Sequence, residues 1–466
     1  MRYSKPAGTG PEPASSRPAT IGVFGHYGNE NLGDEAIIEA SIHNIRRRLP
    51  DVHIVCFSLR PIDTATRYSV PAHPIRCTAG SYVSRRAEME MEQRTPRLRG
   101  ERESNPTQQE TVPGRLKAAL KAAPIIYPLA RFVISLPLTV RRLGSEISFL
   151  RKSRTVLKGI DLLFFAGSNQ FLDNFGGAWG YPYTVLKWTL LAKSAGTKVA
   201  FVSVGAGPIS GRMSKVMVRT ALVLADYQSV RDEQSKVLLR GGKQTRLPLV
   251  YPDLAFSLPT NSAEPVSTRL WAGVSKPTVG INMMAIYHER YWHSPDREKY
   301  ERYVHQIAEF AAFVLREGYP IFLYGNQPYD DLAIGDVIEA LVNMGLDRKD
   351  VSARVKTSNT VAEYIEVVRQ ADVVVAVRFH GTVLALHAHR AVLGVCYGPK
   401  CVHLLNDMGQ EEYVFDLDDF RAEDLQRSFL QLAGSLEAQV QKIKQKHLEY
   451  QRALDEQYSN VLKLLA

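Results

Sequence analysis

The stretch TIGVFG at 20–25 is an apolar run too short to make a helix. A Gly- and Asn-rich turn follows, GHYGNENLGDE, and then AIIEASIHNIRRRL, whose apolar positions recur at helical spacing. HIVCFS is a second strand. A strand that returns to a second strand through a helix pairs parallel with it, because a parallel pair needs a crossover connection. This unit restricts the chain to α/β architectures with a parallel sheet.

The alternation is interrupted at about 80–155 and resumes with IDLLFFAG at 160–167. A helix near 182–195, the strand KVAFVSVGAGP, a helix over about 212–225 and DYQSVRDEQSKVLL follow, and YPDLAFSL closes this half. The polar, Pro-containing stretch 258–277 reads as a linker. A second series predicts strands at 278–283, 319–324, 371–377 and 391–396. Its helices are expected at about 297–317, 331–345, 361–370, 381–389 and 400–408. Two α/β domains in tandem result, spanning 20–260 and 275–422, with amphipathic helices over 423–466. Residues 1–19, rich in Pro, Gly and Ser, read as a disordered tail with no apolar core of a signal peptide. No apolar stretch has the length of a membrane span, so a cytoplasmic protein is expected.

Net charge is +10, but residues 81–158 hold 16 Lys/Arg against 7 Asp/Glu. The remainder is close to neutral, which excludes a general nucleic-acid binder. Within the insert, Ile125, Ile126, Phe132 and Ile134 alternate with Lys117, Lys121, Arg131 and Arg141, and Pro124, Pro128 and Pro137 break any long helix. Such a segment suits the surface of an anionic membrane, making the protein peripheral at the inner face; the plain alternative is a helical pair packed on the first domain. The four cysteines form no metal-binding pair and read as reduced thiols.

Chemistry gathers at the carboxyl ends of the strands, where open parallel sheets bind ligands. DVVVAV at 372–377 ends in Arg378-Phe379-His380-Gly381, and the following residues have helical spacing. His380 therefore starts a helix, where free N–H groups attract anions. Arg378 adds a fork that fits carboxylate or phosphate, and His380 can move a proton near neutral pH. Lys400 lies at the end of the adjacent strand. Arg231, in SVRDEQS, is a further candidate clamp or else a partner in an ion pair between domains. In GNENLGDE, Gly28 and Gly33 permit close backbone approach, while Asn31 and Asp34 suit a hydroxyl better than a phosphate. His387, His389 and His403, on or near helices, read as polar-face residues.

These pieces occur in a recognisable order: FGHYGNENLGDEAIIEA, VSVGAGP, SVRDEQS, YPDLAFSL and RFHGTVLALHAHRAVLGVCYGPK, over residues 21–408. The chain resembles the polysaccharide pyruvyl transferase family. The resemblance implies a GT-B-like fold, two Rossmann-like parallel-sheet domains facing a cleft. It implies phosphoenolpyruvate as donor, a glycan or lipid-linked oligosaccharide as acceptor, and a pyruvate ketal as product. It maps Arg231, Arg378, His380 and Lys400 onto the family's donor site, so that Arg231, Arg378 and Lys400 bind phosphoenolpyruvate. On the donor's chemistry His380 is then the candidate for the acid, or for the base that accepts the hydroxyl proton. Asn31 and Asp34 remain the candidates for the acceptor. No metal or other cofactor is called for. One departure stands out: where the family has a Gly-rich turn ending in an acidic residue, this chain reads AGSNQFLDNFGG. Two other functions fit the same architecture, a nucleotide-sugar glycosyltransferase of exopolysaccharide synthesis and a catalytically silent, glycan-binding member.

Overall fold

The computed structural model describes residues 17–465 except 26, 29, 78–143, 175, 241–246, 261–275 and 293. The first half runs β1 (Thr20–Phe24), α1 (Leu32–Arg48), β2 (His53–Ser58), α2 (Pro61–Tyr68) and β3 (Ala72–Pro74). Helix α3 (144–157) precedes β4 (Leu162–Ala166), α4 (Tyr181–Ala195), β5 (Lys198–Val204), α5 (Arg212–Leu224), β6 (Tyr227–Val230), α6 (Glu233–Leu239) and β7 (Leu249–Val250). The second half runs β8 (Val279–Asn282), α7 (Arg297–Arg316), β9 (Ile321–Tyr324), α8 (Asp330–Asn343), α9 (Arg348–Ser352), β10 (Val355–Lys356), α10 (Val361–Arg369), β11 (Val373–Ala376) and α11 (Phe379–His387). It ends with β12 (Ala391–Cys396), α12 (Pro399–Asp407), β13 (Val414–Asp416), α13 (Ala422–Gly434) and α14 (Leu436–Leu462).

The strands form two separate all-parallel sheets, ordered β3-β2-β1-β4-β5-β6-β7 and β10-β9-β8-β11-β12-β13. Both are doubly wound, and the strand order reverses between β1 and β4 and between β8 and β11. The central strands are continuous apolar runs because helices cover both faces: every residue of β4 and of β11 is buried. The two-domain α/β expectation therefore holds, and the predicted strands and helices of the second series match within about two residues, the usual scatter of element ends.

The carboxyl edges of the two sheets meet. Leu32 N–H, after β1, donates to the carbonyl of Asn326, after β9, at 3.1 Å. Lys400 Nζ, after β12, donates to Asn169 Oδ1, after β4, at 2.7 Å.

Three points differ from or fall outside the sequence reading. The predicted tail, most of the linker and most of the basic insert lie outside the described residues. The described end of the insert is α3, which docks on α4 through Phe149 against Trp188 and a Lys187–Glu146 pair at 3.1 Å. Of the C-terminal helices, α13 packs on α7 of the second domain, whereas α14 crosses from the second domain to the first. At its start α14 is tied to the second domain, where Gln410 Nε2 donates to Gln439 Oε1 at 3.0 Å. At its far end Gln457 Nε2 donates to Ser203 and Ser229 of the first sheet at 3.0 and 2.7 Å, and Tyr458 stacks on Phe164.

Candidate active site

β11 is fixed by its Val-rich run, and the chain leaves it at Val377-Arg378 with helix α11 beginning immediately. Arg378 occupies the N-cap position but makes no side-chain cap bond. Its guanidinium turns instead to Asp330, at the start of α8, with Nε–Oδ2 2.7 Å and Nη2–Oδ1 2.5 Å. Nη2 also reaches the Tyr291 hydroxyl at 3.2 Å. Asp330 is fully buried and accepts from the backbone N–H groups of Asn326 and Gln327 as well. Burial works against the charge of Arg378, yet Asp330 and Tyr291 outweigh it and hold the group above its ordinary pKa. Two of the three guanidinium nitrogens are thus committed within the second domain.

His380 lies in the first turn of α11 and faces the other domain. Its Nε2 stands 3.9 Å from Asp253 Oδ2 and has no hydrogen-bond partner among the described residues. Burial lowers its pKa, Asp253 and Asp34 oppose that, and Arg231 and Arg378 add to it. The net direction is down, so the resting imidazole is neutral near pH 7.

Asp253 sits in the Tyr-Pro-Asp turn after β7 and caps a short 3-10 turn by accepting from Ala255 N–H at 3.0 Å. It also accepts from Arg231 Nη1 at 2.9 Å, and both side chains are almost wholly buried. Arg231 emerges at the end of β6, and its guanidinium lies over the Phe379 ring, 4.4 Å from the centroid. Its ion pair is therefore internal to the first domain, and the contact across the cleft is cation–π rather than ionic. Arg231, Asp253 and His380 form a chain from one sheet edge to the other.

Lys400, in the first turn of α12, completes the group. Burial and then the neighbouring charge of Arg231 bring its pKa down to about 7, against the pull of Asp232 and Asp253. On the opposite rim, Asn31 caps α1 by accepting from Gly33 N–H at 3.1 Å, and its Nδ2 donates to Asp34 Oδ2 at 2.9 Å. The turn before them is pinned by buried Glu35, which accepts from Gly28 N–H at 2.8 Å and from the Tyr68 hydroxyl at 2.6 Å.

The six sequence-derived site residues thus converge on the seam between the two sheet edges. Asp253, Asp330 and Asn169 were missed. Asp253 carried a faint signal, an Asp after Pro at the head of a short apolar run, which reads as a cap. Asn169 belongs to the AGSNQFLDNFGG turn, so the residue that departs from the expected Gly-rich pattern is one that meets Lys400. His387 is a correction: it is buried, not on a polar face, with its ring 5.1 Å from that of His447 on α14. The four cysteines are free thiols. Among the described residues no group of His, Cys, Asp and Glu is arranged to hold a metal, and no helix is long and apolar enough to cross a membrane.

A family model described as polysaccharide pyruvyl transferase matches residues 31–399. No curated protein matches the chain. Solved structures with the same overall fold include a glycosyltransferase from Rickettsia africae, at TM-score 0.51 and 9% identity, over 97% of this chain and 99% of that one. S. aureus MnaA, solved with UDP, superposes at TM-score 0.50 and 9% identity over 91% of each chain. The N-terminal domain of Candida albicans trehalose-6-phosphate phosphatase does so at 0.50 and 10% identity over 98% of each. At such identities the likeness concerns the fold alone.

Proposed function

The chain belongs to the polysaccharide pyruvyl transferase family, and from that premise we propose that it transfers the pyruvyl group of phosphoenolpyruvate to a sugar of a surface polysaccharide or its lipid-linked precursor. The supporting observation is the group of cations around one neutral imidazole at the domain seam: Arg231, Arg378 and Lys400 about His380. Phosphoenolpyruvate carries a carboxylate and a phosphate at neighbouring positions and needs several donors of positive charge. A lysine whose pKa has fallen to about 7 regains its proton when an anion arrives beside it.

In this reading a sugar hydroxyl adds across the enol double bond. Its oxygen bonds to C2 of the donor, and the proton it gives up to His380 is passed on to the methylene carbon, which becomes the methyl group. A second hydroxyl of the same sugar then bonds to C2, the C2–O bond to phosphate breaks, and phosphate leaves with the electron pair. His380 takes the proton from an attacking hydroxyl, and Asp253 at 3.9 Å steadies the imidazolium that results. Arg231, Arg378 and Lys400 hold the carboxylate and offset charge on the departing phosphate. Asn31 and Asp34, on the facing rim, orient the acceptor.

A nucleotide-sugar glycosyltransferase shares the architecture, so the donor is the point to test. Purified protein is incubated with phosphoenolpyruvate and extracted glycan, and phosphate release and the ketal mass are measured together. Both are expected. Thermal stabilisation by nucleotide sugars, with neither phosphate nor ketal formed from phosphoenolpyruvate, would replace this reading by the glycosyltransferase one.

A further inference from the structure

Helix α5, RMSKVMVRTALVL, has a polarity that solvent exposure does not explain. Ser214, Val218, Ala221 and Leu222 face the sheet. On its outer side, Met213, Val216, Thr220 and Val223 are exposed at i, i+3, i+7 and i+10, one stripe of a helical surface. Val216 is 62% and Val223 68% exposed. A solvated helix carries charge there. The stripe beside it, Arg212, Lys215 and Arg219, is wholly cationic, and the helix contains no acidic residue. Leu190, on the neighbouring helix α4, is also exposed, and Arg219 Nη2 donates to the Arg240 carbonyl at the end of α6.

The stripe also has a direction. In a parallel sheet the connecting helices begin at the carboxyl edge, so Met213 lies at the cleft rim and Val223 away from it. Trp179, 63% exposed, lies in the short 3-10 turn at that rim, and this turn packs against α5. Asp173 ties the two rim loops together by accepting from the N–H groups of Ser210 and Gly211, at 3.1 and 2.9 Å from Oδ2. The same loop carries Asn169, the partner of Lys400.

We propose that the outer face of α5, with Trp179 and Leu190, docks on an anionic lipid surface. Apolar side chains flanked by a row of cations and ended by an exposed Trp match an acyl–headgroup boundary. Nucleic acid would want the cations without the apolar centre. The basic insert is a separate candidate contact outside the described residues; this face is a built surface of the first domain. The proposal deepens the proposed function by naming where the acceptor is met, at a membrane beside the cleft rim. It rests on that reading only for the purpose of docking and not for docking itself.

Co-sedimentation of the full chain with vesicles of phosphatidylcholine, alone or mixed with phosphatidylglycerol, tests it. The intact chain binds the mixed vesicles and is released by salt. Val216→Glu/Val223→Glu and, separately, Arg212→Glu/Lys215→Glu weaken binding about tenfold or more. Both variants retain their far-ultraviolet circular dichroism and their turnover of a water-soluble acceptor. No binding by the intact chain overturns the proposal. So does unchanged binding by the Val216/Val223 variant, and loss on deleting 85–140 would then place the contact in the insert. If light scattering shows that the intact chain is a dimer and the Val216/Val223 variant a monomer, without a difference in vesicle binding, the face joins two copies of the chain. Vesicle binding without ketal formation from any acceptor would overturn the proposed function and leave the docking face standing.

Discussion

Gly33 and His380 are in contact across the domain seam. A Cβ placed on Gly33 would lie 2.4 Å from both Cβ and Cγ of His380. The backbone of Gly33 is ordinary helix, so the glycine is required by space rather than by dihedral angle. The first turn of α1 is the wall against which the imidazole rests.

Gly33→Ala therefore tests whether His380 must stay where it is. The added methyl meets the rigid root of the His380 side chain, not a flexible tip, and the overlap costs about 1–3 kcal/mol of stability. Turnover is expected to fall about 10²-fold through misplacement of the imidazole. A melting temperature and turnover both equal to those of the unmodified chain would mean that the seam opens during the reaction.

Replacing His380 by Ala should lower turnover about 10²–10⁴-fold with donor affinity largely kept. Isothermal titration with phosphoenolpyruvate, run beside the phosphate-release assay, separates the two effects. Turnover within a few-fold of the parent excludes His380 as the proton-transfer group.

Arg378 and Asp330 can be separated from the donor by a pair of variants. Arg378→Met alone leaves the Asp330 carboxylate buried and unpaired, and about 3–5 kcal/mol of stability is lost. Arg378→Met together with Asp330→Asn removes both charges while keeping an oxygen for the Asn326 and Gln327 N–H groups, and most of that stability is expected back in urea unfolding. Donor affinity should stay low in the double variant. Recovery of donor affinity along with stability would show that Arg378 serves the fold only.

Lys400 sets the pH dependence. Its pKa in the free protein is about 7, and a bound anion raises it. Above pH 7 the free protein must take up a proton to bind donor, so affinity falls by up to about tenfold per pH unit until the raised value is passed. Below pH 7 the slope vanishes. Lys400→Arg stays charged throughout, and its affinity should be flat from pH 7 to 9. An equally steep loss in that variant would move the titrating group elsewhere.

Much of this was legible from local pattern. β1, β4, β11 and β12 are apolar runs bounded by turns, and the abrupt change at Arg378 marked a strand end. The edge strands β7 and β10, with two residues each, are too short to carry any period. The partners at the site were hidden for another reason. Arg231 could be seen at a strand end, but Asp253 lies 22 positions on and Asp330 lies 48 before Arg378, and only the packed sheets bring them together. The Gly33 glycine was visible as a place of close approach. What approached it, a histidine far along the chain, was not.

Helix α14 has a consequence for the order in which the protein comes into being. Residues 436–462 are synthesised after every strand of both sheets. Yet the buried Gln457 is the hydrogen-bond partner of Ser203 and Ser229, and Tyr458 lies against Phe164. The first domain thus leaves the ribosome with part of its interior uncovered, and waits for a helix that is made only after both sheets. Half-made chains carry a sheet but not a finished domain.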